Sequence, residues 1–232
     1  MKHSFLSLIG CAVAGLIMAQ PAAAQIRITE VSPWGSGNAP YAADWFELHN
    51  FGGSAVNISG WTMDDDSNNP NSALLSGITT VGPDESVIFL ELAAGGNATT
   101  LKNSFINTWF GGSAPLGLQV GTYTVGVAGG VGLSTGADAL NIFSGTAGSL
   151  MARVAFGAAD SVSPYQTFDN AGGLNNATIS QLSVVGINDA FVAVNDVAEI
   201  GSPGVVPEPT ALSIGALGLL GLIFRQRVVA RR

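Results

Sequence analysis

Cysteine is nearly absent from this 232-residue chain: its single copy, Cys11, stands inside an apolar run near the N-terminus. If that run is removed on export, the remaining protein has no thiol. Thiolate nucleophiles, cysteine metal sites and redox exchange are then excluded together, and stability in an oxidising compartment must come from the core rather than from disulfides. Histidine is almost as scarce, with His3 and His49 alone, whereas a zinc site takes three or four close ligands. Positive charge is also thin. Between Gln25 and Val206 only Arg27, Lys102 and Arg153 are basic, against 15 acids, so the net charge there is 3 − 15 = −12. Such a surface repels phosphates and has no basic stripe, which excludes nucleic acid as a partner.

Long apolar runs occur only at the two ends. Lys2 and His3 precede Phe5–Met18, and Ala22-Ala23-Ala24 supplies small residues before Gln25. This is the pattern of a secretory signal peptide over 1–24, cut by signal peptidase between Ala24 and Gln25 after the secretion machinery has engaged it. Leu8-Ile9-Gly10-Cys11 also fits a lipoprotein box, but cleavage there would leave only Phe5–Gly10 as the apolar region.

At the other end Pro207-Glu208-Pro209 is followed by an apolar run of 14 residues, Ala211–Phe224, and then by Arg225, Arg227, Arg231 and Arg232. Basic residues are retained on the cytoplasmic side. As a helix of this length spans about 21 Å of a hydrocarbon core of about 30 Å, the run suits a transient handle better than a permanent anchor. Segment 205–232 resembles the PEP-CTERM sorting signal. The resemblance implies recognition through Pro207, Glu208, Pro209 and the Arg225 and Arg227 cluster by an exosortase. It also implies brief residence in the inner membrane, then delivery to the cell surface or an exopolysaccharide matrix.

The exported body has a period of two. Ile26–Val31 and Trp45–His49 alternate, Ser86–Leu90 is apolar on both faces, and Thr122–Val127, Leu140–Phe143, Met151–Phe156, Gln181–Val185 and Phe191–Val194 are further strand candidates. Gly52-Gly53, Gly82-Pro83-Asp84 and Gly95-Gly96-Asn97 are among the turns that separate them. Only a short helical turn is expected, near Asn103–Phe110. Many short strands at this spacing predict an all-β sandwich or barrel.

Three segments carry a second resemblance: Ile28-Thr29-Glu30-Val31, Asp44 through Asn50, and Ile58-Ser59-Gly60-Trp61-Thr62-Met63-Asp64-Asp65. They resemble the lamin-tail domain, as do Gly82–Leu90 and Gly132–Leu140. The best match is 25–156, and Gly201-Ser202-Pro203-Gly204 is similar to the closing motif of bacterial members, which extends the domain to 204. The resemblance implies an immunoglobulin-like β-sandwich. Ala158–Ile200 has no clear counterpart in the family and is expected to form an added hairpin layer.

Catalytic patterns are few. Gly132-Leu133-Ser134-Thr135-Gly136 matches G-x-S-x-G, but a nucleophile elbow needs a following helix and a later His, so a β-turn is expected. His49 reads as a hydrogen-bonded surface or edge-strand residue. Asp44 and Glu47, three apart on a strand, point to opposite faces and cannot flank one bond. The acidic run Asp64-Asp65-Asp66 is the one candidate metal site: Asp64 and Asp66 on one side of an extended segment would offer calcium two carboxylates. The competing expectation is a solvated turn whose acids cap backbone N–H groups. The reading is thus a non-enzymatic exported module with no cofactor. It binds surface polysaccharide or other matrix proteins, or serves a structural role. A calcium-stabilised adhesin-like module is the alternative and a secreted hydrolase the least favoured.

Overall fold

The computed structural model describes residues 26–33, 40–70, 72–124, 131–159 and 162–205. The first half runs through β1 (Ile26–Ser32), β2 (Trp45–Asn50), β3 (Val56–Asn57), β4 (Thr62–Asp64), β5 (Ala73–Ser76), β6 (Thr80–Val81) and β7 (Ser86–Leu92). A helix, α1 (Ala98–Phe110), precedes β8 (Gln119–Thr124), β9 (Asp138–Phe143) and β10 (Leu150–Phe156). The last segment holds β11 (Tyr165–Gln166), β12 (Phe168–Asp169), β13 (Ala177–Ile179), β14 (Phe191–Ala193) and β15 (Asp196–Gly201).

Ten of these strands form one ladder in the order β12-β1-β2-β7-β8-β5-β4-β9-β10-β13. The ladder folds over at β5, which pairs with β8 on one side and β4 on the other, so its two halves face each other. Between them lies the main core. Phe46, Leu48, Phe89 and Tyr123 from one half meet Met63, Leu140, Ile142 and Val154 from the other, with Trp61 at the edge. Phe46 stacks on Phe89 at 5.6 Å. The expected all-β, immunoglobulin-like sandwich is therefore the observed architecture, and Phe46, Leu48 and Phe89 are buried as the alternation requires.

The expected helical turn at Asn103–Phe110 is instead a helix of 13 residues. The Asn97 side chain caps it by accepting from the Thr100 N–H at 3.0 Å, and Gly111 ends it in the left-handed region at φ 64°. The helix has a topological cause. β7 and β8 are parallel, and parallel neighbours need a crossover of a dozen or more residues, usually a helix.

Because α1 lies over the sheet, β2 is buried on both faces. Trp45, Ile88 and Leu90 turn away from the sandwich and pack with Tyr41, Phe105, Trp109 and Ala193 in a second core. The C-terminal segment completes this outer layer. A β14–β15 hairpin is present, and β11 joins it in a three-stranded sheet. The rest of the segment extends existing edges: β12 pairs with β1, and β13 runs parallel to β10. The expected strand Gln181–Val185 amounts to one bridge, Phe168 to Leu182, with Val184 and Val185 half exposed. Thr122–Val127 is shifted to Gln119–Thr124, and 125–127 lie outside the described residues.

Candidate functional site

A buried polar network lies between the outer face of β1 and β2 and the C-terminal layer. A bulge in β1 between Ile28 and Glu30 resets the register so that Glu30 stands directly opposite Glu47. Both carboxylates are sealed from solvent. Glu30 accepts from the Thr167 hydroxyl and, at 2.7 Å, from the Ser202 N–H. Glu47 accepts from the Thr29 hydroxyl at 2.5 Å and from the Gly204 N–H at 2.6 Å. The two acids thus clamp the closing segment Gly201–Gly204 onto the sandwich. Burial lifts both well above the usual carboxylate range. For Glu30 the neighbouring Glu47 charge adds to the rise, while Thr167 and Ser202 oppose it.

A second knot lies beside the first. The Tyr41 hydroxyl accepts from both Trp45 Nε1, at 2.9 Å, and Trp109 Nε1, at 3.2 Å, and donates to Glu199 on β15 at 3.2 Å. Trp45 meets Phe105 and Trp109 edge to face. Burial raises Glu199 from 4.5 to about 7, and burial with the Glu199 charge pushes Tyr41 well above its usual value. A general acid must reach a substrate's proton. Glu30, Glu47 and Glu199 are each no more than 1% exposed, so their chemistry is that of fasteners.

His49 is buried rather than on the surface. Its Nδ1 lies 3.2 Å from Ser86 Oγ, its Nε2 lies 3.4 Å from Asp84 Oδ1, and its ring meets Phe51 edge-on at 4.4 Å. Burial lowers its pKa, with Asp84 opposing. The trio has the residue types of a hydrolase triad, with the Asp84 side chain largely exposed, and a side-chain hydrogen bond with Ser86 opposes the rise of the Glu47 pKa. Ser134 lies in the expected turn: its Oγ accepts from the Gly136 N–H at 3.1 Å, its N–H donates to Asp138 at 2.7 Å, and β9 follows. Asp44 accepts from the Leu133 N–H at 3.0 Å, away from Glu47.

The structure does not bring Asp64 and Asp66 together. β4 ends at Asp64 and the chain turns at once, so the extended segment assumed from the sequence is absent. Asp64 is fully buried and accepts from the Ser67 hydroxyl at 2.8 Å and from the Asn69 N–H. The Asp66 side chain is 76% exposed and lies 3.8 Å from Arg153. The acids do cap backbone N–H groups, as a turn predicts, with Asp65 accepting from Ser67 at 2.8 Å. Asp64 itself is not solvated. Among the described residues no three His, Cys, Asp or Glu form a metal-holding group, and no helix is long and apolar enough to cross a membrane. Ala24, Gln25, Pro207, Glu208, Pro209, Arg225 and Arg227 lie outside the described residues.

Sequence reasoning missed the clamp. Little in the sequence signalled it, because Glu30 and Glu47 lie among other polar residues of alternating strands, where an acid reads as facing solvent. The model of the family described as Lamin Tail Domain matches residues 19–158, more than half of the chain. No curated protein and no solved structure matches it.

Proposed function

Since the chain belongs to the lamin tail domain family, we propose that it is a non-enzymatic binding or structural module, exported and sorted by its C-terminal tail to the cell surface or exopolysaccharide matrix. The observation that carries the non-enzymatic reading is the direction of the buried acids. Glu30 and Glu47 face inward to the backbone of Ser202 and Gly204, and Glu199 faces Tyr41. An all-β body of net charge −12 suits a soluble surface component that attracts cations.

Sorting rests on the sequence order of Pro207-Glu208-Pro209, Ala211–Phe224 and the arginines after it. The clamp supports it in one respect. It fixes the chain as far as Gly204, leaving a short connector before the motif that an exosortase would read. The partners in this reading are the secretion machinery, signal peptidase and an exosortase, followed by surface polysaccharide or matrix proteins. Mass spectrometry of the surface and released fractions tests it. A mature form beginning at Gln25 and ending near Pro207–Pro209 is expected. Dominant recovery of the intact Arg231-Arg232 end would refute the transient handle. Pull-down of polysaccharide from the matrix fraction then separates binding from a purely structural role.

A further inference from the structure

We propose that Asp64 and Asn141 form a binding site for an oxygen-ligated divalent cation, calcium by its ligand chemistry, closed over by the Asp65–Pro70 turn. The two residues are direct partners in the antiparallel β4–β9 ladder, so their side chains rise on the same face with Cβ atoms about 4.5–5.5 Å apart. Both are fully buried, and one oxygen of each, Asp64 Oδ1 and Asn141 Oδ1, has no hydrogen-bond partner. The Asn141 amide donates through Nδ2 to the Asp65 carbonyl at 2.5 Å, which settles which end is oxygen.

A single water donating to both oxygens is the competing occupant. It would leave the buried Asp64 carboxyl without a cationic partner, because among the described residues the ion pairs are His49–Asp84 and Arg153–Asp66. An unpaired buried carboxylate is costly, and a cation removes that cost together with both orphaned acceptors. Acids outnumber bases around the pair: Arg153, the partner of Asn141 on β10, is the one cation beside it and is turned to Asp66. Asp65 and Asp66 lie in the turn, and Asp138 is tied to it by the Asp66 N–H at 3.1 Å. An irregular oxygen set with one carboxylate suits calcium, which takes 6–8 ligands in flexible geometry, better than octahedral magnesium. Backbone carbonyls and water complete the shell, so the affinity is about 10⁻⁴–10⁻³ M.

The full chain in detergent is titrated with calcium by calorimetry and with terbium, whose luminescence is read on tryptophan excitation. Melting temperatures are compared in chelator and in calcium. Saturable binding is expected, with a rise of about 3–6 °C at tenfold the Kd. Asp64→Asn and Asn141→Leu should each weaken binding at least about tenfold, whereas Asp66→Asn should leave it within about twofold. Absence of saturable binding to the unaltered protein overturns the proposal and needs no variant. Binding lost in Asp66→Asn but kept in Asp64→Asn also overturns it, in favour of the exposed acids.

Discussion

Glu30 and Glu47 face each other across a bulged pair of strands, and each receives a backbone N–H from the same four-residue segment. Two like charges at this separation, out of water, resist joint ionisation. The closing segment is thus held by a pair of acids that retains a proton at a pH where exposed glutamates have lost theirs.

This relationship fixes a pH dependence. Groups whose folded-state pKa is raised contribute stability that is complete below their unfolded value and lost as pH rises through the folded one. For Glu199 that window runs from 4.5 to about 7, and the raised Glu30–Glu47 pair extends the loss toward neutral and alkaline pH. His49, lowered by burial, acts oppositely and costs stability as pH falls below 6.5. Melting temperature should therefore be highest in mildly acidic buffer and decline steadily toward pH 9. Glu30→Gln should flatten the alkaline decline. A flat profile in the unaltered protein would contradict the clamp.

Gly201 should not tolerate a side chain. A Cβ there would lie 2.7 Å from Glu30 Oε1 and 3.0 Å from both Thr167 and Trp109. Gly201→Ala is expected to destabilise by about 1–3 kcal/mol in urea denaturation. Gly172→Ala, with nothing within 4 Å, should be near neutral.

Tyr41→Phe keeps the ring and removes the oxygen that accepts from two indoles. Leaving Trp45 and Trp109 N–H groups buried without an acceptor should cost roughly 2–5 kcal/mol, read by tryptophan fluorescence during unfolding. An unchanged midpoint would mean that these donors find other partners.

Trp61, 6% exposed at the edge of the main core, should cost about 3–5 kcal/mol on truncation to Ala. Leu116→Ala, at a fully exposed position, should leave the midpoint unmoved.

Purified protein should not turn over ester, peptide, glycan or nucleic-acid substrates. Activity lost in His49→Ala and Ser86→Ala would show that this trio reaches a substrate.

Much of the sandwich was legible because burial on one face imposes a period of two, and Phe46, Leu48 and Phe89 obey it. The helix was half legible. Asn97 and Gly111 are ordinary cap residues, but a chain reading dominated by strands hid the apolar positions Leu101, Phe105 and Trp109 between them. The alternate residues Trp45, Glu47 and His49 gave the least guidance, since a strand covered on both sides loses the polar half of its pattern.

The sequence by itself determined the scarcity of cysteine, histidine and basic residues, the strand-rich body, the order of the tail and the turn character of Ser134. These follow from composition and local spacing, which no fold alters. Tertiary structure alone decided that Glu30 meets Glu47, that both hold Ser202 and Gly204, and that Asp64 shares a buried face with Asn141 rather than with Asp66. The physical reason is separation along the chain. Glu30 and Ser202 are 172 residues apart, and only the packing of the C-terminal layer on the sandwich brings them within a hydrogen bond.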